Sequence, residues 1–420
     1  MNGRIRTMLA VIAPGILVAA TGVGAGDILT AALGGSAVGL ALLWAAVAGA
    51  VLKWVLNEGI ARWQMATETT IIAGWQQHLG RWFAWLFLLY LIAWTFFTGG
   101  ALITACGVAG HAVLPLSPTP LVSKILWGLS HALAGYLLVR IGGFALFEKM
   151  MSAFIVVMFI AVLITATLIA PDWWEIAQHI LVPRIPAGGL TWTLGVLGGV
   201  GGTVTLLSYG YWIREAGRTG IAGLRTSRID LAAGYTLTAL FGVCMILIGT
   251  NVTVSGSGVN VAPLLAAQLE TTLGTAGKWL FLIGFWGAVF SSLLGVWQSV
   301  PYMFADFMVL NRDNLLRPGI QPDTVREKAY RTYLAVITLL PIPILWFSVQ
   351  KAQLIYAVTG AFFMPVLAGT LLYLNNWKLR DRTGFRNGVL VNAALIVTMV
   401  FFLYAGVSKV ISLLRPMLSG

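Results

Sequence analysis

Ala20-Thr21-Gly22-Val23-Gly24-Ala25-Gly26-Asp27 and Gly198-Gly199-Val200-Gly201-Gly202-Thr203-Val204-Thr205-Leu206-Leu207-Ser208-Tyr209-Gly210 interrupt two long apolar segments with clustered glycines. Both breaks fall where a membrane helix should be continuous. Unwound backbone is tolerated in hydrocarbon only where protein encloses it around a cavity, so paired breaks in corresponding halves of a chain point to a solute site near the bilayer midplane. The first break also carries a carboxylate, Asp27.

Outward from these breaks the chain is 59% hydrophobic and 10% charged, with a mean hydropathy of +0.88. A soluble globule carries about 25% charged residues, so the composition is that of an all-α polytopic membrane protein. The net charge of +12 does not indicate a nucleic-acid partner, because Lys and Arg sit between apolar runs and form no continuous stripe. Cys106 and Cys244 both fall inside apolar runs and read as free core thiols. Arg4 and Arg6 precede an apolar run in the manner of a secretory signal, but the glycines and Asp27 interrupt it, so an uncleaved first span is expected.

Runs of about 20 apolar residues give eleven segments: 9–38 (broken), 41–63, 82–110, 121–139, 144–170, 190–213 (broken), 230–250, 277–309, 330–348, 352–375 and 388–412. With a cytoplasmic N-terminus, 19 of the 26 Lys and Arg residues fall on the inner side and 6 on the outer, leaving Lys53 within a span. The positive-inside rule therefore orients the chain N-terminus in and C-terminus out. Trp82, Trp85, Trp173, Trp174, Trp279 and Trp377 lie near span ends, where the interface suits an indole. Because spans one and six are the broken ones, spans 1–5 (residues 1–170) and 6–10 (190–376) read as two five-helix units of opposite orientation. The eleventh span, 388–412, is then an appendage to a 5+5 inverted repeat. The whole chain, 1–420, reads as one transmembrane domain.

Ala13-Pro14-Gly15-Ile16-Leu17-Val18-Ala19-Ala20, then the break, Gly34-Gly35-Ser36 and Leu42-Leu43-Trp44, resembles the first spans of the Nramp family of divalent-metal transporters. Gly202-Thr203-Val204 is similar to the family's Ala-Thr-Val lead into its Met-Pro-His motif, and Phe147-Glu148 is similar to the opening of its fifth span. The resemblance covers the chain in span order and implies a LeuT-type fold and metal transport. The motifs themselves are altered. Where the family has Asp-Pro-Gly-Asn, this chain reads Gly24-Ala25-Gly26-Asp27, so one carboxylate remains and is moved by three residues. Met-Pro-His becomes Thr205-Leu206-Leu207, which removes the thioether and the imidazole. The span-ten glutamine corresponds to Phe363, and span three has no acidic residue where the family carries proton-path carboxylates.

An ionised carboxylate near the bilayer centre costs roughly 2.5 to 3.5 kcal/mol on insertion scales, so Asp27 needs a cation, a partner or a proton. If the first half of span one ends near Val23, its last carbonyls, including that of Gly24, face the break with the negative end of the helix dipole. Asp27, those carbonyls, the hydroxyls of Thr205 and Ser208 and the freed backbone near Gly202 would form an all-oxygen site. The competing reading is that Thr205 and Ser208 satisfy local backbone. Oxygen ligands suit hard ions such as Mg²⁺, Ca²⁺ or Mn²⁺, and a single carboxylate favours an ion that keeps its waters. Asp27 and Thr205 are the expected metal ligands.

Lys53 and Asn57 share a face of span two at i,i+4 spacing, with Glu58 beside them. An inward Lys53 could pair with Asp27, or Lys53 and Glu58 could titrate during transport. A fixed ammonium there would disfavour a metal and favour an amino acid or another small organic solute, which stands as the alternative substrate class. Arg214-Glu215 could close an inner gate, although a solvated helix end is the stronger reading, and Gln298 and Asp306 in span eight are further gate candidates. The remaining aspartates, Asp230 among them, are expected in loops or at span ends.

Gly24-Ala25-Gly26-Asp27 also matches the Gly-x-Gly-Asp signature of intramembrane aspartyl proteases, but that chemistry needs a second carboxylate, and none lies in a Tyr-Asp pair within a span. With no His-Glu-x-x-His, Walker or nucleophile-elbow motif, the expectation is a non-enzymatic, monomeric, multi-pass transporter of the inner or plasma membrane. It is expected to need no cofactor and to be weakly coupled or uncoupled to protons.

Overall fold

A computed structural model describes residues 29–169, 172–199, 201–252, 261–312, 322–382 and 384–418. Within these, the side chains of 142–155, 157–158, 161, 261, 272–273, 322, 409–410 and 412–418 are not described. The first glycine break, with Gly24 and Asp27, lies outside the described residues.

After Leu29 and Thr30, α1 (Ala31–Val38) continues span one and passes through a 3-10 turn, Gly39–Leu42, into α2 (Leu43–Thr67). Next come α3 (Ile71–Leu79), α4 (Arg81–Val113), α5 (Pro120–Leu168), α6 (Trp173–Leu181), α7 (Leu190–Gly199), α8 (Ser208–Glu215) and α9 (Gly220–Thr250). The chain closes with α10 (Val261–Leu310), α11 (Pro322–Leu339), α12 (Val349–Ala361), α13 (Phe363–Tyr373) and α14 (Val389–Leu418). Nine segments among the described residues are long and apolar enough to cross a membrane, and they correspond to expected spans two to four and six to eleven. Burial separates core from periphery: 82% of the most apolar stretch of Leu190–Glu215 is buried but only 22% of that of Val389–Ser408, so the broken span is central and the last one flanks the bundle.

Two boundaries differ from the sequence reading. A turn was expected between 139 and 144, yet helical backbone runs through Pro120–Leu168. Gly142 and Gly143 permit a break without compelling one, and no proline removes an N–H from the ladder. Span seven was expected to start at 230, but α9 begins at Gly220. Asp230 is therefore inside a helix and fully buried, as is Asp306 in α10 at 6% exposure. Asp230 is not the loop or helix-end residue that the sequence suggested, whereas Asp306 lies near the end of its span as expected but is buried, and each is matched by partners described below.

Close approach of α1 to α9 fixes the start of the described bundle. A Cβ on Gly35 would collide with the Ile246 carbonyl, and one on Gly249 with the Ala32 carbonyl. Small residues let backbones meet in this way, which is how membrane helices gain van der Waals contact without a hydrophobic driving force.

Candidate substrate site

The second glycine break is a true discontinuity. α7 stops at Gly199, Gly201 and Gly202 take φ of +79° and +85°, and a 3-10 turn, Val204–Leu207, leads into α8. Left-handed backbone costs an L-residue about 1–2 kcal/mol, so glycine is what allows the chain to unwind here. Four helices wrap the break. From α4, Trp94 Nε1 donates to Thr203 Oγ1 at 2.9 Å. From α12, Gly360 lies so near the Thr203 side chain that any Cβ would collide with it. From α2, Lys53 Nζ donates to the Gly198 carbonyl at 2.8 Å. From α9, Tyr235 packs on Gly201, where an added Cβ would sit 2.9 Å from its ring and 3.4 Å from Lys53 Cδ. Asn57 Nδ2 donates to Tyr235 Oη at 2.7 Å, which ties the second polar residue of the α2 face to the same cluster.

The expected α2 face is thus partly realised. Lys53 and Asn57, 1% and 0% exposed, look toward the break. Glu58 does not. Its carboxylate is held by Arg62 at 2.6 Å and Arg228 at 2.8 Å, and Arg62 also donates to the Arg386 carbonyl at 2.6 Å. One residue along a helix is a rotation of about 100°, which turns Glu58 from the cavity toward the arginine-rich end. The expectation that Glu58 acts beside Lys53 is corrected in its geometry: Glu58 is ion-paired with Arg62 and Arg228 instead of sharing the Lys53–Asn57 cluster.

Thr205 and Ser208 behave differently from one another. Thr205 Oγ1 accepts the Thr203 N–H at 3.3 Å, satisfying local backbone. Ser208 Oγ is buried without a hydrogen-bond partner among the described residues, and so is Asn57 Oδ1. A buried polar atom left unmatched costs about 1–3 kcal/mol, and both oxygens are suited to a hard cation. Among the described residues no group of three His, Cys, Asp or Glu side chains could hold a metal. Phe363 is buried in an aromatic cluster, stacked on Tyr90 with centroids 5.8 Å apart and edge-on to Trp75.

Beyond the break, α8 is latched on two sides. Tyr209 Oη donates to Asp230 at 3.0 Å, and Asp230 is paired with Arg218. Tyr211 Oη donates to Asp306 at 3.2 Å, and Asp306 also accepts from Thr70 Oγ1 at 2.5 Å and pairs with Arg326 at 3.5 Å. Trp212 Nε1 donates to Gln298 Oε1 at 3.1 Å. The sequence reading placed a possible inner gate at Arg214-Glu215. Those two side chains are exposed and make no ion pair with each other among the described residues, and Arg214 lies over the Tyr211 ring at 5.4 Å. Gln298 and Asp306, the other two gate candidates, are thus both bonded to α8. Asp230, Tyr209 and Tyr211, which the sequence did not single out, share that layer.

A multi-pass helical membrane protein with a helix broken at its centre and clamped by neighbouring spans has the LeuT-type transporter architecture. The chain matches the family of natural resistance-associated macrophage protein-like proteins, Nramp, over residues 15–412, and it belongs to that family. Among solved structures it is similar to a manganese transporter of Eremococcus coleocola in complex with an aromatic bis-isothiourea substituted compound. That match has 18% identity and a TM-score of 0.69, and covers 97% of this chain and 88% of that one. It is also similar to MhsT in complex with L-phenylalanine, at 16% identity and a TM-score of 0.61, covering 95% and 97% of the two chains. At these identities the likeness shows the fold. Comparison with curated proteins gives no match.

Proposed function

We propose that this protein moves a hard divalent cation, Mg²⁺ or Mn²⁺, by alternating access around the breaks in spans one and six, with weak or no proton coupling. Membership of the Nramp family supports divalent-metal transport. The observation that carries the finer reading is the oxygen character of the second break, where Ser208 Oγ and Asn57 Oδ1 are buried and unmatched and no sulfur or imidazole replaces the lost motif. Asp27 supplies the carboxylate in this reading, with the Gly24 and Gly202 backbone completing the shell. Oxygen ligands favour hard ions over thiophilic ones.

Weak coupling is supported by where the other carboxylates lie. α4 contains no acidic residue, and Glu58, Asp230 and Asp306 are each paired with arginine away from the break. The protein is read as a monomer of the plasma or inner membrane with its N-terminus cytoplasmic, built as a repeat of 1–170 and 190–376 plus the helix at 388–412. Arg62, Arg228 and Arg386, all assigned to the inner side by charge, meet at one end of the bundle and support that orientation.

One observation favours a second reading. The Lys53 ammonium sits at the carbonyl end of α7, where it would repel a dication and attract a carboxylate, as an amino-acid substrate would require. Calorimetry on the purified protein separates the two. Binding of Mg²⁺ or Mn²⁺ without binding of any member of an amino-acid panel is the expected result, and the reverse pattern would replace the metal reading with the organic one.

A further inference from the structure

At the arginine-rich end of the bundle, α13 does not finish as an α-helix. Leu374–Lys378 widens into a π-turn, and the chain crosses through 379–388 into α14. π-turns are rare and concentrate at functional sites. Here the turn opens a cavity of about 320 Å³ lined by Asn376, Trp377, Arg380, Arg386 and Asn392. No carboxylate lines it, and among the described residues neither the Arg380 nor the Arg386 guanidinium has an ion-pair partner.

The two lining amides are bonded to each other and to Asn387. Asn376 Nδ2 donates to Asn392 Oδ1 at 2.8 Å, Asn392 Nδ2 returns a bond to Asn376 Oδ1 at 3.3 Å, and Asn387 Nδ2 donates to Asn392 Oδ1 at 3.1 Å. Trp377, in the lining, is 65% exposed, and Val389 and Leu390, which open α14 between the lining residues Arg386 and Asn392 in sequence, are each 85% exposed. Two guanidiniums without ion-pair partners beside an open indole, with two bare aliphatic side chains on the chain segment that joins Arg386 to Asn392, match an anion that brings its own hydrocarbon. Arginine grips phosphate oxygens in a planar, two-pronged way, an interfacial tryptophan marks headgroup depth, and the exposed Val389 and Leu390 at the start of α14 are suited to acyl chains. We propose that this cavity binds the phosphate of an anionic phospholipid.

The site is wired to the broken span through α2. The Arg386 carbonyl accepts from Arg62, Arg62 holds Glu58, and Asn375 Nδ2 donates to the Gly59 carbonyl at 3.0 Å. On the same helix, Lys53 reaches Gly198. A lipid phosphate held by Arg380 and Arg386 would therefore brace the helix that carries the polar face of the substrate site. The proposed binding depends neither on the orientation proposed above nor on the substrate.

Native mass spectrometry of the detergent-purified protein tests the site directly. Phosphatidylglycerol should bind in preference to phosphatidylcholine, and Arg380→Gln combined with Arg386→Gln should weaken it on the order of 30-fold, about fivefold per arginine. Both substitutions leave the Arg386 carbonyl and its bond to Arg62 in place. Arg382→Gln, an exposed arginine outside the cavity, should retain wild-type binding. Equal binding of the two lipids, or a preference that survives the double substitution, would overturn the proposal. Competition by inorganic phosphate as effective as that by phosphatidylglycerol would overturn the lipid as its ligand.

Discussion

The Lys53 ammonium donates at 2.8 Å to the carbonyl of Gly198, one residue before α7 ends. The last carbonyls of a helix have no intrahelical donor and carry the negative end of its dipole. A side chain thus supplies positive charge at the carbonyl end of α7. In the metal reading, Lys53 holds the unwound segment when substrate is absent and opposes the incoming ion. In the organic reading it is the substrate's counter-charge.

Substitution of Lys53 therefore moves transport in opposite directions in the two cases. Lys53→Gln keeps a donor for Gly198 and removes the charge, so the apparent affinity for Mg²⁺ or Mn²⁺ should rise by at least about tenfold, since even at the dielectric of water a unit charge about 4 Å from a dication repels it by about 2 kcal/mol. Radiometric or dye-based uptake over a concentration series reads this out. Loss of all transport would favour a carboxylate-bearing substrate.

Ser208 and Thr205 should separate by the sign of two measurements. Ser208 Oγ is buried and unmatched, whereas Thr205 Oγ1 is engaged by the Thr203 N–H. Ser208→Ala removes an unsatisfied oxygen and should leave thermal stability unchanged or raise it by about 1 kcal/mol, while weakening divalent binding. Thr205→Val should cost stability and change binding less. If Ser208→Ala leaves affinity untouched, its hydroxyl does not face the ion.

The break itself is strained for any residue but glycine. Gly201→Ala places a Cβ 2.9 Å from the Tyr235 ring on backbone at φ +79°, so it should destabilise by about 1–2 kcal/mol from the backbone alone, and more from the clash. Thermal unfolding in detergent measures it. A variant as stable as the parent would show that the segment does not hold this conformation.

The second break was legible in the sequence because positive φ favours glycine, and a cluster of glycines inside an apolar run marks backbone free to leave the helix. The shared face of Lys53 and Asn57 was legible from i,i+4 spacing. The latch on α8 was not. Tyr211 and Asp306 are 95 positions apart, and Trp94 and Thr203 are 109 apart, and no local pattern couples such pairs. Aspartates near a helix end look solvated in sequence, while the folded chain buries Asp230 and Asp306 against Arg218 and Arg326. Glu58 follows Asn57 in sequence yet faces elsewhere, because adjacency along the chain is not adjacency on a helix surface.

The latch gives its own prediction. Asp230→Asn with Asp306→Asn weakens the hold on Tyr209 and Tyr211 and should raise the inward-open population, roughly fivefold for each kcal/mol of latch lost. Thr205→Cys provides the reporter, since Cys106 and Cys244 are buried. A membrane-impermeant thiol reagent applied to the cytoplasmic side should label it faster in the Asn background. An unchanged rate would mean that this layer is structural and the gate lies elsewhere.

The central claim is a divalent cation crossing without a compulsory proton, and uptake into liposomes under controlled gradients tests it most directly. A cation carrying two charges gains roughly 4.6 kcal/mol per 100 mV, twice the 2.3 kcal/mol of a single charge. Mg²⁺ or Mn²⁺ entry should therefore follow an imposed potassium diffusion potential and be nearly indifferent to an inward pH gradient. Metal entry accompanied by stoichiometric acidification of the lumen, with no response to voltage alone, would contradict the account.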